Sequence, residues 1–265
     1  MEKIRVGVIG VGNMGKHHAR VYSEMDNVQL VAVSDLNEQL GSKLSKQYSC
    51  KFYQSYIDLL KDKEIDAVSI AVPTYLHKQV ALDAIIYKKH VLLEKPIAEN
   101  LDDANEIVKA AKKAKIKLFI GHVERFNPAV QRLKRIIDDG KLGKITSIIT
   151  RRVGLPPARI NNTNVLLDLA VHDIDVVNYL LGKEPKLLYA NSSSAVVTNN
   201  KDCAEILLKY GDVPSFLQVN WITPIKIRNI AITGTHGYAE LDYVNQKLTL
   251  YSNDHGALNL NFENF

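Results

Sequence analysis

Hydrophobic residues in the first half of the chain form short runs that alternate with segments of helical periodicity. The runs have strand length and lie at 4–10, 28–35, 66–73, 90–96 and 117–123. Helices are predicted between them at 14–26, 37–47, 75–88 and 101–115. Continuous apolar strands separated by helices are typical of a parallel sheet that is covered on both faces. This pattern predicts a doubly wound α/β fold that binds ligands at the carboxyl ends of its strands.

The pattern changes after about residue 122. A helix is predicted at 127–140, an alternating strand at 144–154 and a further helix at 166–181. Strand-like segments with short turns follow at 186–197, 204–210, 215–222, 228–242 and 246–252. Successive strands joined by short turns predict an antiparallel sheet. We therefore expect two domains, a doubly wound domain over 1–122 and an α+β domain over 123–265.

Composition narrows the class of protein without deciding its chemistry. Of the 265 residues, 46% are hydrophobic and 24% charged, which is typical of a soluble globular protein. The net charge of +5 is spread over mixed-sign segments, and it suits anionic small molecules at least as well as nucleic acid. Cys50 and Cys203 follow no metal-ligand spacing, so neither a metal site nor a disulfide framework is predicted. The chain enters a strand directly, without a signal-peptide pattern or a bilayer-length apolar run, so we expect a cytoplasmic protein.

The first strand ends in the sequence GVGNMG, which matches the pattern GxGxxG and opens a helix. Such a turn lets the backbone approach a pyrophosphate, which the helix N-terminus attracts. The predicted cofactor contacts in it are Gly10, Gly12, Asn13, Met14 and Gly15. Asp35 ends the second strand, where a carboxylate binds a ribose hydroxyl, and no Arg follows it, which favours NAD over NADP. The alternative is a tight turn that binds nothing.

Polar residues also follow the next strands of this domain. Glu94 and Lys95, in the sequence EKP, end one strand, and Lys95 could stabilise charge that develops on a substrate oxygen. Pro73, Thr74 and His77 follow another strand, in the sequence AVPTYLH. All five are predicted to line the cofactor site. The alternatives are a strand-end lysine that reaches water and a helix-start histidine with local hydrogen bonds.

Further candidates lie at and after the domain join. Arg125 and Asn127, in GHVERFNP, could contact the substrate or hold the domains together, and Arg152 could bind an anionic substrate group or lie along a solvated strand. His17 and His18 are interpreted as ordinary residues of the first helix.

The segment 166–175, LLDLAVHDID, carries acid and base groups within an apolar helix. Asp168 and His172 are four residues apart, so they share one face of a helix. They could form a structural pair or an acid–base pair that faces a ligand. Asp173 and Asp175 are interpreted as structural or solvated.

In this order, GVGNMG, Asp35, AVPTYLH, EKP, GHVERFNP and DLAVHDID resemble the Gfo/Idh/MocA oxidoreductases over nearly the whole chain. The resemblance implies an N-terminal Rossmann domain and a C-terminal domain with a largely antiparallel open sheet. It also implies a homodimer or homotetramer formed through that sheet. In the family the lysine of EKP and the Asp and His of D-x-x-x-H face the nicotinamide, which points to Lys95, Asp168 and His172.

The resemblance implies a dehydrogenase that uses NAD to oxidise a secondary hydroxyl of a sugar. The quoted sequence segments are most similar to those of members that act on UDP-N-acetylhexosamines at C3. Alternatives are an inositol or free-sugar dehydrogenase, a sugar hydrolase with tightly bound NAD, and a non-catalytic NAD(P)-sensing regulator. His172 is the candidate base, since the reference pKa of histidine is about 6.5, with Asp168 orienting it and Lys95 holding the substrate oxygen. The roles of His172 and Lys95 could be exchanged.

Family members usually continue beyond the final sequence NLNFENF. The chain is therefore either a short member or truncated, which bears on any substrate contacts from the last elements.

Overall fold

The computed structural model describes residues 3–156, 164–196, 200–252 and 263–264, the last pair by backbone alone. The chain divides into two compact units, Met1–Gly121 and His122–Phe265. Most of the terminal sequence NLNFENF, on which the question of truncation rests, lies outside the described residues.

The first unit contains six parallel strands in the order β3-β2-β1-β4-β5-β6. They are β1 (Ile4–Ile9), β2 (Val28–Ser34), β3 (Lys51–Tyr53), β4 (Ala67–Ile70), β5 (His90–Leu93) and β6 (Leu118–Ile120). The helices are α1 (Gly15–Glu24), α2 (Glu38–Tyr48), α3 (Tyr56–Lys61), α4 (His77–Ile86) and α5 (Leu101–Ala114), with a 3-10 turn at Thr74–Leu76. The doubly wound prediction is confirmed. The short elements β3 and α3 were not predicted, because three and six residues are too few to show a period.

Both faces of this sheet are buried, as its continuous apolar strands require. Val8 and Val33 pack with Leu44 of α2 on one face. Ile70 and Leu93 pack on the other face among residues of α4 and α5. The strand order reverses between β1 and β4, and the carboxyl ends of strands at such a point form the ligand-binding edge of this fold.

The second unit contains an eight-stranded sheet in the order β14-β13-β12-β11-β7-β10-β9-β8. The strands are β7 (Ile145–Val153), β8 (Lys186–Ser193), β9 (Cys203–Tyr210), β10 (Val213–Asn220), β11 (Ile227–Gly234), β12 (Gly237–Asp242), β13 (Lys247–Ser252) and β14 (Glu263–Asn264). The pair β7 and β10 is parallel and the other pairs are antiparallel. The predicted largely antiparallel sheet is confirmed.

One face of this sheet packs against α6 (Pro128–Asp138) and α7 (Val171–Leu181). Ile148 and Leu217 point to that side and are 1% and 0% exposed, whereas Ile149 and Phe216 on the other side are 49% and 41% exposed. The predicted helix 166–181 is correct in extent but begins as a π-helical turn at Leu166–Ala170. The described helices fall short of the length and hydrophobicity that a bilayer-spanning segment requires.

Candidate active site

The glycine-rich turn after β1 leaves space where a dinucleotide phosphate binds. A side chain at Gly15 would come within 1.7 Å of the Gly10 carbonyl oxygen, and Gly10 itself has φ +81°, so both positions require glycine. A side chain at Gly12 would meet no atom within 4 Å, and Gly12, Asn13 and Met14 are exposed. The turn therefore combines close helix–strand packing with an open outer surface, which fits a bound pyrophosphate.

Asp35 joins the end of β2 to this turn. Its Oδ2 accepts a hydrogen bond from the backbone N–H of Val11 at 2.8 Å, and its Oδ1 accepts one from the backbone N–H of Asn37 at 2.8 Å. Each carboxylate oxygen has a second lone pair, so Asp35 can hold the turn and also accept a hydrogen bond from a ribose hydroxyl. These residues fit the adenosine half of NAD.

A buried polar network lies between α1 and the carboxyl ends of β4 and β5. His18 places Nδ1 2.6 Å from Ser69 Oγ and Nε2 2.8 Å from Glu94 Oε1. The side chains of His18 and Glu94 are only 11% and 8% exposed. Burial raises the pKa of Glu94, but the hydrogen bonds and charges of His18 and Lys95 together outweigh it, and the net pKa is lowered. The interpretation of His18 as an ordinary helix residue was wrong. The sequence signal for a buried partner was Glu94 itself, because a glutamate at the end of an apolar strand needs one.

The same carboxylate holds the backbone at Lys95. Glu94 Oε2 accepts the Lys95 backbone N–H at 3.2 Å. Gly121 permits this position, because a side chain there would lie 3.1 Å from the Glu94 carboxylate. His77 is 1% exposed, with Nδ1 2.8 Å from the Pro96 carbonyl oxygen and Nε2 3.0 Å from that of Val72. Glu94 and His77 therefore use polar atoms within the protein to hold the EKP turn, and their predicted cofactor contacts remain predictions.

Pro73 and Thr74 lead into the 3-10 turn after β4. Pro73 is exposed and Thr74 is half-buried, and the Pro73 carbonyl accepts the Leu76 N–H at 2.9 Å. They lie at the carboxyl edge of the sheet, where the cofactor contact predicted for them remains a prediction.

In the second unit, the π-helical turn carries Asp168 and the first turn of α7 carries His172. Both side chains are half-buried, and His172 Nδ1 is buried. One turn of π-helix spans slightly more residues than one turn of α-helix, so Asp168 and His172, four residues apart, still share a face. Single π turns are frequent at functional sites. Asp173 and Asp175 are 1% and 7% exposed and pair with arginines, as expected of structural residues.

Arg125 and Asn127 hold elements of the second unit in place. Arg125 binds Asp175 through Nε at 2.8 Å and Nη2 at 2.5 Å. Asn127 caps α6, where its Oδ1 accepts the Ala129 N–H at 3.0 Å. The structure therefore gives both residues structural roles, and their predicted substrate contacts remain predictions.

Arg152 is 4% exposed and forms the centre of a buried charge cluster. Its Nε donates to Asp173 Oδ1 at 2.9 Å, its Nη1 donates to Glu124 Oε1 at 3.1 Å, and its guanidinium lies 5.2 Å from the centre of the Tyr243 ring. Burial lowers its pKa, but Asp173 and Glu124 outweigh that effect and raise it. An anion-binding role, as predicted from sequence, would require Arg152 to exchange these partners, so the structure supports a structural role instead.

A cavity of about 440 Å³ lies beside this cluster within the second unit. Its described lining combines Asp168 with aromatic, amide and cationic side chains: Gly154, Leu155, Asp168, Leu169, Asn220, Trp221, Pro224, Lys226 and Arg228. Lys226 and Arg228 were not recognised in the sequence. Their position depends on how β11 pairs with β7, which no local pattern reveals.

The first unit is doubly wound and carries a dinucleotide-type glycine turn, and the second is an α+β unit in which Asp168 lines a cavity. Together they define a two-domain class of nicotinamide-dependent oxidoreductases. Residues 4–122 match the oxidoreductase family with an NAD-binding Rossmann fold, and residues 130–240 match the GFO/IDH/MocA C-terminal domain. The chain belongs to the Gfo/Idh/MocA oxidoreductase family.

Three relatives illustrate the proteins to which the chain is similar. UDP-N-acetylglucosamine 3-dehydrogenase of Acidithiobacillus ferrooxidans is 31% identical over 97% of this chain and 80% of its own length. Its solved structure, GnnA, superimposes with a TM-score of 0.88 over 100% of this chain and 83% of that one, at 29% identity. Myo-inositol 2-dehydrogenase of Thermotoga maritima is 30% identical over 78% of this chain, and an uncharacterized oxidoreductase of Bacillus subtilis, YrbE, is 31% identical over 74%. The match spans 65% and 59% of the lengths of these last two relatives.

Proposed function

We propose that this protein oxidises a secondary hydroxyl of a sugar with NAD⁺, and that the sugar is a UDP-N-acetylhexosamine oxidised at C3. The observation that carries the proposal is the position of Asp168, the first residue of D-x-x-x-H, in the wall of a cavity large enough for a sugar. The similarity to UDP-N-acetylglucosamine 3-dehydrogenase over 97% of the chain supports the finer assignment of substrate.

The chemistry requires a base for the hydroxyl proton and a group that stabilises the oxygen as it becomes a carbonyl. When bound, NAD⁺ supplies the hydride acceptor. His172 takes the hydroxyl proton at Nε2, because Nδ1 is buried. Asp168 stabilises the resulting imidazolium from the preceding turn. Lys95 donates a hydrogen bond to the substrate oxygen, and Glu94 fixes the backbone from which the Lys95 side chain extends.

An exchange of roles between His172 and Lys95 is the mechanistic alternative. In that case Lys95 takes the hydroxyl proton and His172 orients the hydroxyl. The pH profile of kcat in Lys95→Arg separates these mechanisms. If Lys95 only donates a hydrogen bond, the variant keeps the pH dependence of kcat that wild type shows. If Lys95 is the base, the ionisation of the base disappears from the pH profile of the variant.

The test measures near-ultraviolet absorbance of reduced nicotinamide with UDP-N-acetylglucosamine, myo-inositol and glucose in parallel. We expect reduction with the UDP-sugar alone. Reduction with myo-inositol alone would favour the second candidate, which the similarity to the Thermotoga enzyme supports. NAD binding without reduction by any of the three would refute the assigned substrates.

Variants then test the residues. Lys95→Ala and His172→Ala should each lower turnover by about 10²- to 10⁴-fold while NAD⁺ affinity persists. The exposed residues Lys63 and His236 provide matched controls, Lys63→Ala and His236→Ala, which should keep normal turnover. Near-normal turnover in both site variants would refute the assignment.

We also propose a homodimer or homotetramer that forms through the outer face of the second sheet. Tyr189, Leu207, Phe216 and Ile149 lie in register across four neighbouring strands, β8, β9, β10 and β7. All but Leu207 are at least 41% exposed, so they form an apolar row of the kind that marks protein interfaces.

A further inference from the structure

Two arginines face each other across neighbouring strands in the interior of the second unit. Arg228 of β11 lies directly opposite Arg152 of β7. Like charges at directly opposed positions destabilise a sheet, so each guanidinium needs a compensating anion. Arg152 has two such anions, Asp173 and Glu124.

Arg228 is less well compensated. Its Nη1 is buried and has no hydrogen-bond partner among the residues that the structure describes. Burial lowers the pKa of Arg228, and the positive charge of Arg152 lowers it further, which outweighs Asp173 and Asp168. A buried polar group of this kind in a native protein calls for an explanation, and an adjacent ligand-binding position is one.

The surroundings of Arg228 provide such a position. Lys226 immediately precedes β11 and lies two residues before Arg228 in the chain. It is exposed and lines the same 440 Å³ cavity as Arg228. Trp221 forms part of the wall and is 2% exposed, so the cavity also has an apolar surface. Asp168 lines the same cavity. The cavity is therefore lined by the candidate catalytic carboxylate of Asp168 and by two cationic side chains, Lys226 and Arg228.

We infer that Lys226 and Arg228 bind an anionic group of the substrate, either the diphosphate of a nucleotide sugar or the carboxylate of a sugar acid. This inference rests on the proposed function, since it places the reacting sugar in the cavity with Asp168. The planar fork of Arg228 suits two oxygens of such an anion, and Lys226 adds a mobile point charge. A neutral polyol would leave the buried guanidinium without an anion.

The test measures binding by calorimetry on NAD⁺-saturated protein, so that the cofactor site is filled and turnover is not required. The probes are UDP against uridine and D-glucuronate against myo-inositol, which are matched pairs with and without an anion. We expect at least one charged probe to bind about tenfold tighter than its neutral partner, with a difference that shrinks as salt increases. UDP preference identifies a diphosphate site and glucuronate preference a carboxylate site.

Variants assign the effect to the two cations. Lys226→Gln should weaken binding of the charged probe a few-fold, Arg228→Gln should weaken it about tenfold or more, and both should leave the neutral probe unchanged. Lys247→Gln is the control, because Lys247 is an exposed lysine of the same sheet that does not line the cavity. Arg228→Gln also relieves the repulsion with Arg152, so its thermal midpoint should be unchanged or higher. If that variant fails to fold, Lys226→Gln decides the question.

Equal binding of charged and neutral probes, or an unchanged affinity for the charged probe in Lys226→Gln, would overturn the inference. Charge-dependent binding without nicotinamide reduction by any sugar would refute the proposed function and leave the anion site standing. If a neutral sugar reduces the nicotinamide equally well in wild type and in Lys226→Gln, the oxidoreductase activity stands and the anion site is refuted.

Discussion

The pair His18 and Glu94 allows a quantitative test of how the NAD-binding unit fixes Lys95. In the variant His18→Leu the ring is replaced by a side chain of comparable size that has no nitrogen. Glu94 then keeps the backbone N–H of Lys95 at 3.2 Å but loses its 2.8 Å partner in a position only 8% exposed. Ser69, which is fully buried, loses its 2.6 Å partner as well.

The expected cost follows from these two losses. A hydrogen bond to a charged group contributes about 1.5–3 kcal/mol, and a neutral hydrogen bond such as the one that Ser69 loses contributes about 0.5–1.5 kcal/mol. Partial relaxation makes the two losses less than additive, so we expect about 2–4 kcal/mol in the free energy of unfolding. His17→Leu is the matched control, because His17 is the exposed neighbour on α1, and it should change stability by less than about 0.5 kcal/mol.

The sign of the pH dependence gives a second, independent check. The net pKa of Glu94 is lowered from about 4.5, so its stabilising contribution is present above that pH and is lost as the pH falls through the lowered value. Without His18, the hydrogen bond and charge that most lower the pKa of Glu94 are lost, so that pKa rises relative to wild type. The penalty of His18→Leu should therefore be largest near neutral pH and shrink on acidification.

Urea unfolding of wild type, His18→Leu, Glu94→Gln and the double variant between neutral and acidic pH measures these effects. Glu94→Gln should stabilise the protein in the His18→Leu background, because it removes the buried charge, although it does not stabilise wild type. In turnover assays His18→Leu should lower kcat more than it raises KM for NAD⁺, and His18→Asn, which restores a polar partner, should recover part of kcat. An equal penalty for His17→Leu, or a penalty that grows on acidification, would refute this account of the network.

Two further predictions concern the cofactor and the assembly. Asp35→Ala should weaken NAD⁺ binding by about tenfold in calorimetry. The variant removes the carboxylate that a ribose hydroxyl would contact and that accepts the N–H of Val11. An unchanged affinity would show that Asp35 is not part of the site. Phe216→Asp, on the outer face of the sheet, should convert an oligomer to a smaller species in light scattering, whereas the same change at the exposed Ile86 of α4 should not. Identical masses for wild type and Phe216→Asp would refute the proposed interface.

The sequence predicts the first unit well because its signals are local. Buried parallel strands show as continuous apolar runs, and the glycine turn has its own pattern at Gly10 and Gly15. The parallel sheet, and with it the ligand-binding edge at the carboxyl ends of its strands, follows from the alternation of strands and helices, whereas the strand order was not predicted. The start of α7 was only partly predicted, since the residues of a π turn have no distinctive composition.

The polar partners could not be predicted because they are distant in sequence. His18 and Glu94 are 76 residues apart, and each alone is compatible with an exposed position. The pairing of Arg228 with Arg152 depends on the register of β11 against β7, and a shift of one residue would turn Arg228 to the other face. Sequence alone therefore could not distinguish Arg152 from Arg228 as the candidate anion binder.

The segment LLDLAVHDID divides its charged residues between two tasks. Asp168 and His172 are the candidate reacting groups, whereas Asp173 and Asp175 compensate arginines. Asp173 is fully buried, and burial raises its pKa while Arg152 opposes the rise. Its charge is needed because two arginines meet on the inner face of the sheet.

This arrangement makes the effect of Asp173→Asn depend on Arg228. With Asp173 neutral, Glu124 alone compensates Arg152, and breaking such a buried pair costs about 3–5 kcal/mol. In an Arg228→Met background one of the two opposed positive charges is already gone, so the same change should cost less by more than about 1 kcal/mol. Asp175→Asn is the control, because Asp175 pairs with Arg125, and its cost should be the same with or without Arg228→Met. Urea unfolding of the six proteins measures both cycles. Additive costs for Asp173→Asn and Arg228→Met would show that the two arginines do not share their counter-charge, and would also remove the electrostatic reason for placing an anion at Arg228.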